Sequence, residues 1–101
     1  MTSSPALVHW CPPAERGTSA LPATLRFVGL SRFSEDNESW PDGAWSVELR
    51  FATPPAEQQG SVGEAQVRFL FDTAPKARLH PGARFALYEG PFKVADVEIL
   101  R

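Results

Sequence analysis

The sequence has few of the features that carry chemistry or cross a membrane. Cys11 is its one cysteine, so no disulfide can form within the chain. No apolar run approaches the roughly 20 residues that a membrane-spanning helix requires. The N-terminus also lacks the positive and apolar segments of a secretory signal. We therefore expect a cytoplasmic protein.

Positive charge is also scarce. Ten Lys and Arg residues against twelve Asp and Glu give a formal net charge of −2. This balance argues against a strong sequence-independent nucleic-acid binder, which needs net positive charge or a clear basic stripe. No Gly-x-x-x-x-Gly-Lys-Ser/Thr phosphate loop is present, which excludes a GTPase. The chain of 101 residues, 43% of them hydrophobic, is typical of one globular domain with a buried core.

Metal-ligating and nucleophilic residues lack productive spacing. His9 and Cys11 are two residues apart and His80 is distant, whereas a structural zinc site takes four ligands in paired spacing. An enzyme site built from Cys11, His80 and the acidic loop 31–43 would need a base–nucleophile arrangement that the sequence does not supply. We predict no metal, no cofactor and no enzymatic activity.

The acidic loop 31–43 invites a calcium interpretation. Its carboxylates lack the alternating ligands, the central glycine and the final glutamate of a calcium loop. We interpret the loop as solvated. Its acidic residues are Glu35, Asp36, Glu38 and Asp42.

The N-terminal region, residues 1–22, contains four prolines. Each proline removes a backbone donor and restricts its own backbone angle, so the region is a poor helix and a poor strand. We predict an arm outside the folded domain, and Leu7, Val8 and Trp10 indicate that it drapes over the surface.

From residue 23 onward apolar residues recur with a period of two. This alternation predicts strands that have one face in a core. Val94 is out of phase with Val97, which predicts a bulge or bend near Asp96. The Glu-Gly-Pro corner predicts a positive φ at Gly90. The predicted inward residues are Ala23, Leu25 and Phe27; Trp45, Val47, Leu49 and Phe51; Ala65, Val67, Phe69 and Phe71; Phe85 and Leu87; and Ala95, Val97 and Ile99.

No window shows a helical apolar period, and Pro- and Gly-rich connectors separate the strands. The pattern predicts an all-β fold over residues 23–101, either a small antiparallel barrel or a sandwich. At this length we favour the barrel, because closure removes exposed edges. Arginines 26, 50, 68 and 84 occupy outward strand positions. We interpret them as cross-strand partners of Glu48 and Glu64, with a weak basic face as the alternative.

The stretch PGARFALYEGPFKVADVEIL, with the order and spacing of the preceding segments, resembles the C-terminal third domain of elongation factor Tu over about residues 23–100. The resemblance implies a six-stranded antiparallel barrel without its GTP-binding domain, in a bacterial cytoplasm. It also implies that Glu89 lies where the family contacts the T-stem of aminoacyl-tRNA. Tyr88 and Pro91-Phe92 replace two cations of that surface, so RNA binding ranks second.

Several aromatic residues fall in loops or near the hairpin turn, where side chains are less often buried in the core. Trp and Tyr dominate binding hot spots, so exposed aromatics there indicate a partner surface, whereas their alternative role is to plug the barrel end. We predict a non-enzymatic module that binds protein through its loop-and-hairpin end, with a tRNA-like RNA as the alternative partner. The candidate binding residues are Phe33, Trp40, Tyr88, Glu89 and Phe92.

Overall fold

Six antiparallel strands close into one barrel in the computed structural model, which describes residues 3–16, 21–58 and 62–100. Around the barrel the strands follow the order β1-β4-β3-β2-β5-β6, and β6 returns to β1. The all-β six-stranded prediction is confirmed. The strands are β1 (Ser4–Trp10), β2 (Arg26–Arg32), β3 (Trp45–Arg50), β4 (Val62–Phe69), β5 (Arg84–Glu89) and β6 (Phe92–Ile99).

In residues 3–16, 21–58 and 62–100, helical structure is limited to short turns between the strands. A four-residue helix α1 (Pro13–Arg16) follows β1, and its first residue is a proline, which the first turn of a helix tolerates. The 3-10 turns are Ser34–Asp36, Pro55–Glu57 and Lys76–Leu79. No helix among the described residues is long and apolar enough to cross a membrane.

The predicted N-terminal arm is wrong for Ser4–Trp10, because this segment is a barrel strand. It pairs with β4 on one side and with β6 on the other. Pro5 is the second residue of the strand, and Pro12 comes after its end. The residues between these two prolines therefore all keep a backbone N–H that can donate a hydrogen bond. Ala6, Val8 and Trp10 alternate inward and are buried.

The predicted inward residues form the core, except at the strand ends. Ala23 and Leu25 precede β2 and are exposed, Leu25 by 52%, and Phe71 follows the end of β4 and is 56% exposed. Phe27 and Trp45 are half-buried and pack against the core. The predicted bulge is present at Val94, two residues before Asp96, since Leu87 pairs with Ala95 and Tyr88 pairs with Lys93. The positive φ predicted for Gly90 is confirmed at 58°.

Phe85→Ala tests whether β5 closes the core. Phe85 is 3% exposed, and its ring lies 5.0 Å from that of Phe33. Truncating such a side chain leaves a cavity, so we expect the free energy of unfolding in urea to fall by about 3–5 kcal/mol. Glu89→Ala, at an exposed position on the same strand, should change it by less than about 0.5 kcal/mol. Near wild-type stability for Phe85→Ala would contradict the closed core.

Candidate binding surface

The long loop and the β5–β6 turn leave opposite ends of the barrel. The loop 33–44 follows the last residue of β2, Arg32. Because β5 is antiparallel to β2, with Arg32 opposite Ala86 and Leu30 opposite Tyr88, the end of β5 lies beside the beginning of β2. The prediction of a single loop-and-hairpin end is therefore wrong.

Phe33 is a core residue rather than a surface residue. It is 4% exposed and packs against Phe85 and Phe69, whose ring centroids lie 5.0 and 6.2 Å away. Asp36 holds the loop in this position, because its carboxylate accepts a hydrogen bond from the Phe33 backbone N–H at 3.0 Å. Phe33 plugs the barrel end, which removes it from any binding surface.

Asp36 also departs from the prediction of a solvated acidic loop. It is 4% exposed, and its carboxylate accepts hydrogen bonds from Arg78 Nη1 at 3.2 and 3.3 Å. The Arg78 guanidinium lies 5.3 Å from the centre of the Phe33 ring. Glu35, Glu38 and Asp42 remain exposed, as predicted.

Trp40 and Tyr88 meet on the side of the barrel. Their ring centroids are 4.7 Å apart, and both side chains are half-buried. The Arg32 guanidinium lies 5.1 Å from the Trp40 ring centre, and its Nη1 donates a long hydrogen bond of 3.4 Å to Tyr88 Oη. The loop thus folds back along the barrel, and one cation orients both aromatic rings.

These residues continue into an apolar strip on β2. Val28 and Leu30 point outward in phase with Arg32, and Leu30 lies opposite Tyr88. Val28 is 37% exposed and Leu30 is half-buried. We name this surface the side wall; it consists of Val28, Leu30, Arg32, Trp40 and Tyr88.

A depression of about 590 Å³ borders the side wall at Arg32. Its floor is Ala86, which lies in register between Arg32 and Asp96. A small residue there leaves room between longer neighbours. Charged groups surround the floor, so the depression suits a polar or charged side chain of a ligand. The other lining residues are His9, Arg84, Phe85, Val97 and Glu98.

Glu89 and Phe92 lie away from the loop, at the β5–β6 turn. They pair with each other across the turn, and Phe92 is 46% exposed. Glu89 also lines a smaller cavity of about 250 Å³ together with Trp10 and Phe27. Both residues are exposed, as a binding role requires, but at the end of the barrel opposite the loop.

Glu48 forms ion pairs with three of the four outward arginines. Arg26, Arg50 and Arg68 each donate a hydrogen bond from Nε to its carboxylate, the last two at 2.9 and 2.8 Å. The prediction that these arginines pair with Glu48 is confirmed, whereas Arg84 pairs with Glu98 at 3.6 Å. Period-two alternation predicted that Glu48 points outward, but not that it is 1% exposed.

The three arginines determine the ionisation of Glu48. Burial of the carboxylate raises its pKa, but the hydrogen bonds from Arg26, Arg68 and Arg50 outweigh burial and lower the pKa to about 2. Glu48 is therefore an anion throughout the physiological pH range.

The residues considered for catalysis are not brought together. Cys11 follows the end of β1, where its backbone N–H bonds to the Val94 carbonyl, whereas His80 lies at the opposite end beside the start of β5. Burial raises the pKa of the Cys11 thiol, and the Lys93 ammonium offsets part of that rise. Among the described residues no group of three His, Cys, Asp or Glu side chains is placed to hold a metal ion.

Comparison with known proteins gives no match. No protein-family model matches the sequence, and neither does any curated protein or solved structure. The likeness to elongation factor Tu therefore stays a prediction from the sequence.

Glu48→Gln should remove a pH-dependent contribution to stability. Since the folded-state pKa of Glu48 is about 2, below the ordinary 4.5, the carboxylate stabilises the fold above about pH 4.5. Hydrogen bonds to charged groups contribute about 1.5–3 kcal/mol, so we expect a loss of that order at pH 7. The difference from wild type should shrink as the pH falls from about 4.5 towards 2.

Urea titrations of both proteins between about pH 2.5 and 7 measure this difference. The other carboxylates make the same pH-dependent contribution to the free energy of unfolding in both proteins, so their contribution cancels in the difference. A gap that does not change with pH would contradict the assigned role of Glu48.

Proposed function

We propose that this protein is a non-enzymatic binding module of the bacterial cytoplasm that contacts a protein partner through the side wall. The observation that carries the proposal is the Trp40–Tyr88 pair, which Arg32 holds in place on the surface. Trp, Tyr and Arg are the residue types most enriched in binding hot spots. The three of them occur together here.

Barrel closure favours recognition by side chains. Each described strand pairs with a neighbour on both sides, so a partner cannot extend the sheet by adding its own strand. The outward side chains are then the groups that a partner can contact. On β2 and β5 these are apolar and aromatic over the side wall.

The arrangement also limits the entropic loss on binding. Arg32 contacts the Trp40 ring and Tyr88 Oη, and its Nε donates to Asn37 Oδ1 at 3.2 Å. Side chains that are ordered before binding lose less freedom when a partner arrives. The adjoining depression over Ala86 can receive one side chain of the partner, as pockets beside aromatic anchors do.

RNA is the second candidate partner, and the resemblance to elongation factor Tu favours it. Its main support would be the strand arginines, but Glu48 binds three of them and Glu98 pairs with the fourth. Part of their charge is thereby neutralised. RNA binding would also fall steeply with salt concentration.

Trp40→Ala and Leu30→Glu should weaken binding of the partner. We would enrich partners from a cell extract on the tagged protein, with and without ribonuclease, and then measure affinity with the purified partner. Loss of a hot-spot Trp typically changes binding by at least 2 kcal/mol, so we expect a loss of roughly 30-fold for Trp40→Ala. Phe92→Ala should weaken binding less, because Phe92 lies beyond the side wall.

Phe71→Ala is the matched control, since Phe71 is a 56% exposed aromatic residue outside the side wall. It should bind like wild type. Wild-type affinity in folded Trp40→Ala and Leu30→Glu variants would contradict the proposed surface. Loss of the partner on ribonuclease treatment would favour RNA instead.

A further inference from the structure

Arg32 has no acidic side chain beside it to balance its charge. It makes no ion pair with any residue that the structure describes. The groups that orient it are neutral: Asn37 Oδ1 accepts from Nε at 3.2 Å, Tyr88 Oη accepts from Nη1 at 3.4 Å, and the Trp40 ring lies below the guanidinium. Because Arg32 is half-buried, its charge is only partly solvated, and a bound anion would offset that cost.

The neutral contacts leave one edge of the guanidinium for a ligand. Nε–H is engaged with Asn37 and Nη1 with Tyr88, whereas Nη2 donates to no residue in the described part of the chain. Nη1 carries a second hydrogen, so Nη1 and Nη2 together present parallel N–H donors, the arrangement that binds both oxygens of a carboxylate. The plane of the group is set before a ligand arrives, which reduces the entropy lost on binding.

The depression of about 590 Å³ gives this edge a place for a ligand group. Arg32 lines it, and Ala86 lies directly opposite Arg32 on the neighbouring strand. The Cβ atoms of directly opposite residues are about 4.5–5.5 Å apart, so a group that rests on Ala86 is within reach of the guanidinium. A longer side chain at residue 86 would occupy this space itself.

The two carboxylates that line the depression already have cations. Asp96 pairs with Lys93 Nζ at 2.9 Å, and Glu98 pairs with Arg84 at 3.6 Å. The remaining titratable group is His9, which lies opposite Asp96 on β1. The pairing reduces the repulsion that Asp96 and Glu98 exert on an incoming anion, so Arg32 determines the sign of the ligand.

We propose that Arg32 binds the side-chain carboxylate of an acidic residue of the protein partner, with the carboxylate resting over Ala86. This inference rests on the proposed function of the side wall and names the chemistry of the partner. Leu30 lies two residues before Arg32 on the same face, about 7 Å along the strand. An extended partner segment with an apolar residue two positions from an acidic one matches this spacing, because its apolar side chain can contact Leu30 and Trp40.

The test is an NMR titration of the isotope-labelled protein at constant ionic strength. The probes are the capped peptides acetyl-Leu-Ser-Glu-amide and acetyl-Leu-Ser-Gln-amide, followed through Arg32 Nε–H and the Ala86 and Leu30 amides. We expect saturable shifts with the Glu peptide and affinity about fivefold weaker for the Gln peptide, which lacks the charge. Equal affinities, or no saturable shift of Arg32 with the Glu peptide, would overturn the proposal.

Two further probes separate this proposal from the proposed function and from another source of carboxylate. If capped glutamate alone binds Arg32 as tightly as the Glu peptide, the carboxylate site stands and the apolar contact with the side wall fails. If the Glu and Gln peptides bind equally and shift Leu30, the side wall stands and the carboxylate site fails. Acetyl-Leu-Ser-Ala with a free C-terminal carboxylate should bind more weakly than the Glu peptide, and equal or tighter binding would overturn the assignment to a side chain.

Variants assign the charge recognition to Arg32 through the ratio of the two peptide affinities. Arg32→Gln should reduce this ratio from about five to about one, even if displacement of Trp40 weakens both peptides. Arg32→Lys keeps the charge but loses the paired donors, so it should restore the ratio in part, to about two. Lys76→Gln is the matched control, because Lys76 is an exposed cation outside the depression, and it should keep the ratio near five.

Ala86→Glu locates the carboxylate within the depression. The introduced side chain lies directly opposite Arg32 and competes with the ligand, so the ratio should again fall to about one. Ala86→Ser adds no charge and should keep the ratio. A ratio near five in folded Arg32→Gln or Ala86→Glu, or an equal fall of the ratio in Lys76→Gln, would overturn the proposal.

Discussion

The pairing of β1 between β4 and β6 is the constraint on which the rest of the structure depends. Its register places Ala6, Val8 and Trp10 in the core, and two further backbone hydrogen bonds, from Cys11 N–H and from Leu100 N–H, close its ends. Without β1, the edges of β4 and β6 would lose their partner strand, and unpaired edges promote association with other chains. With β1 in place, outward side chains are the groups that can recognise a ligand.

The outer face of β2 carries part of the side wall beside Glu48 and its arginines. Val28 belongs to the side wall and lies opposite Glu48, so the apolar and aromatic surface adjoins the ion pairs of Glu48. Glu48 acts on both structure and surface, because it joins three strands and holds their arginines in one orientation. A substitution of Glu48 is therefore expected to change the stability of the fold and also the positions of these arginines on its surface.

The barrel could be predicted from period-two alternation, as in Val47, Leu49 and Phe51, because the pleat of a strand sends alternate side chains into the core. β1 could not be predicted in this way, because the four prolines of residues 1–22 argue against a strand although residues 6–11 contain none. Phe33 and Trp40 come from the same polar loop, yet only Phe33 is buried, since contacts of Asp36 with distant Arg78 set the course of the loop. Burial of that kind depends on tertiary packing, which local sequence does not encode.

Native-state hydrogen exchange of the β1 amides tests closure of the barrel most directly. If β1 is an integral strand, the amides of Ala6, Val8 and Trp10 should exchange only through global unfolding, as slowly as those of Val47 and Leu49 in β3. Their exchange should also slow in step with any increase in global stability. If the β1 amides exchanged as fast as those of a frayed terminus while the β3 amides stayed protected, the account would be contradicted. The segment would then be a surface arm rather than a strand of the barrel.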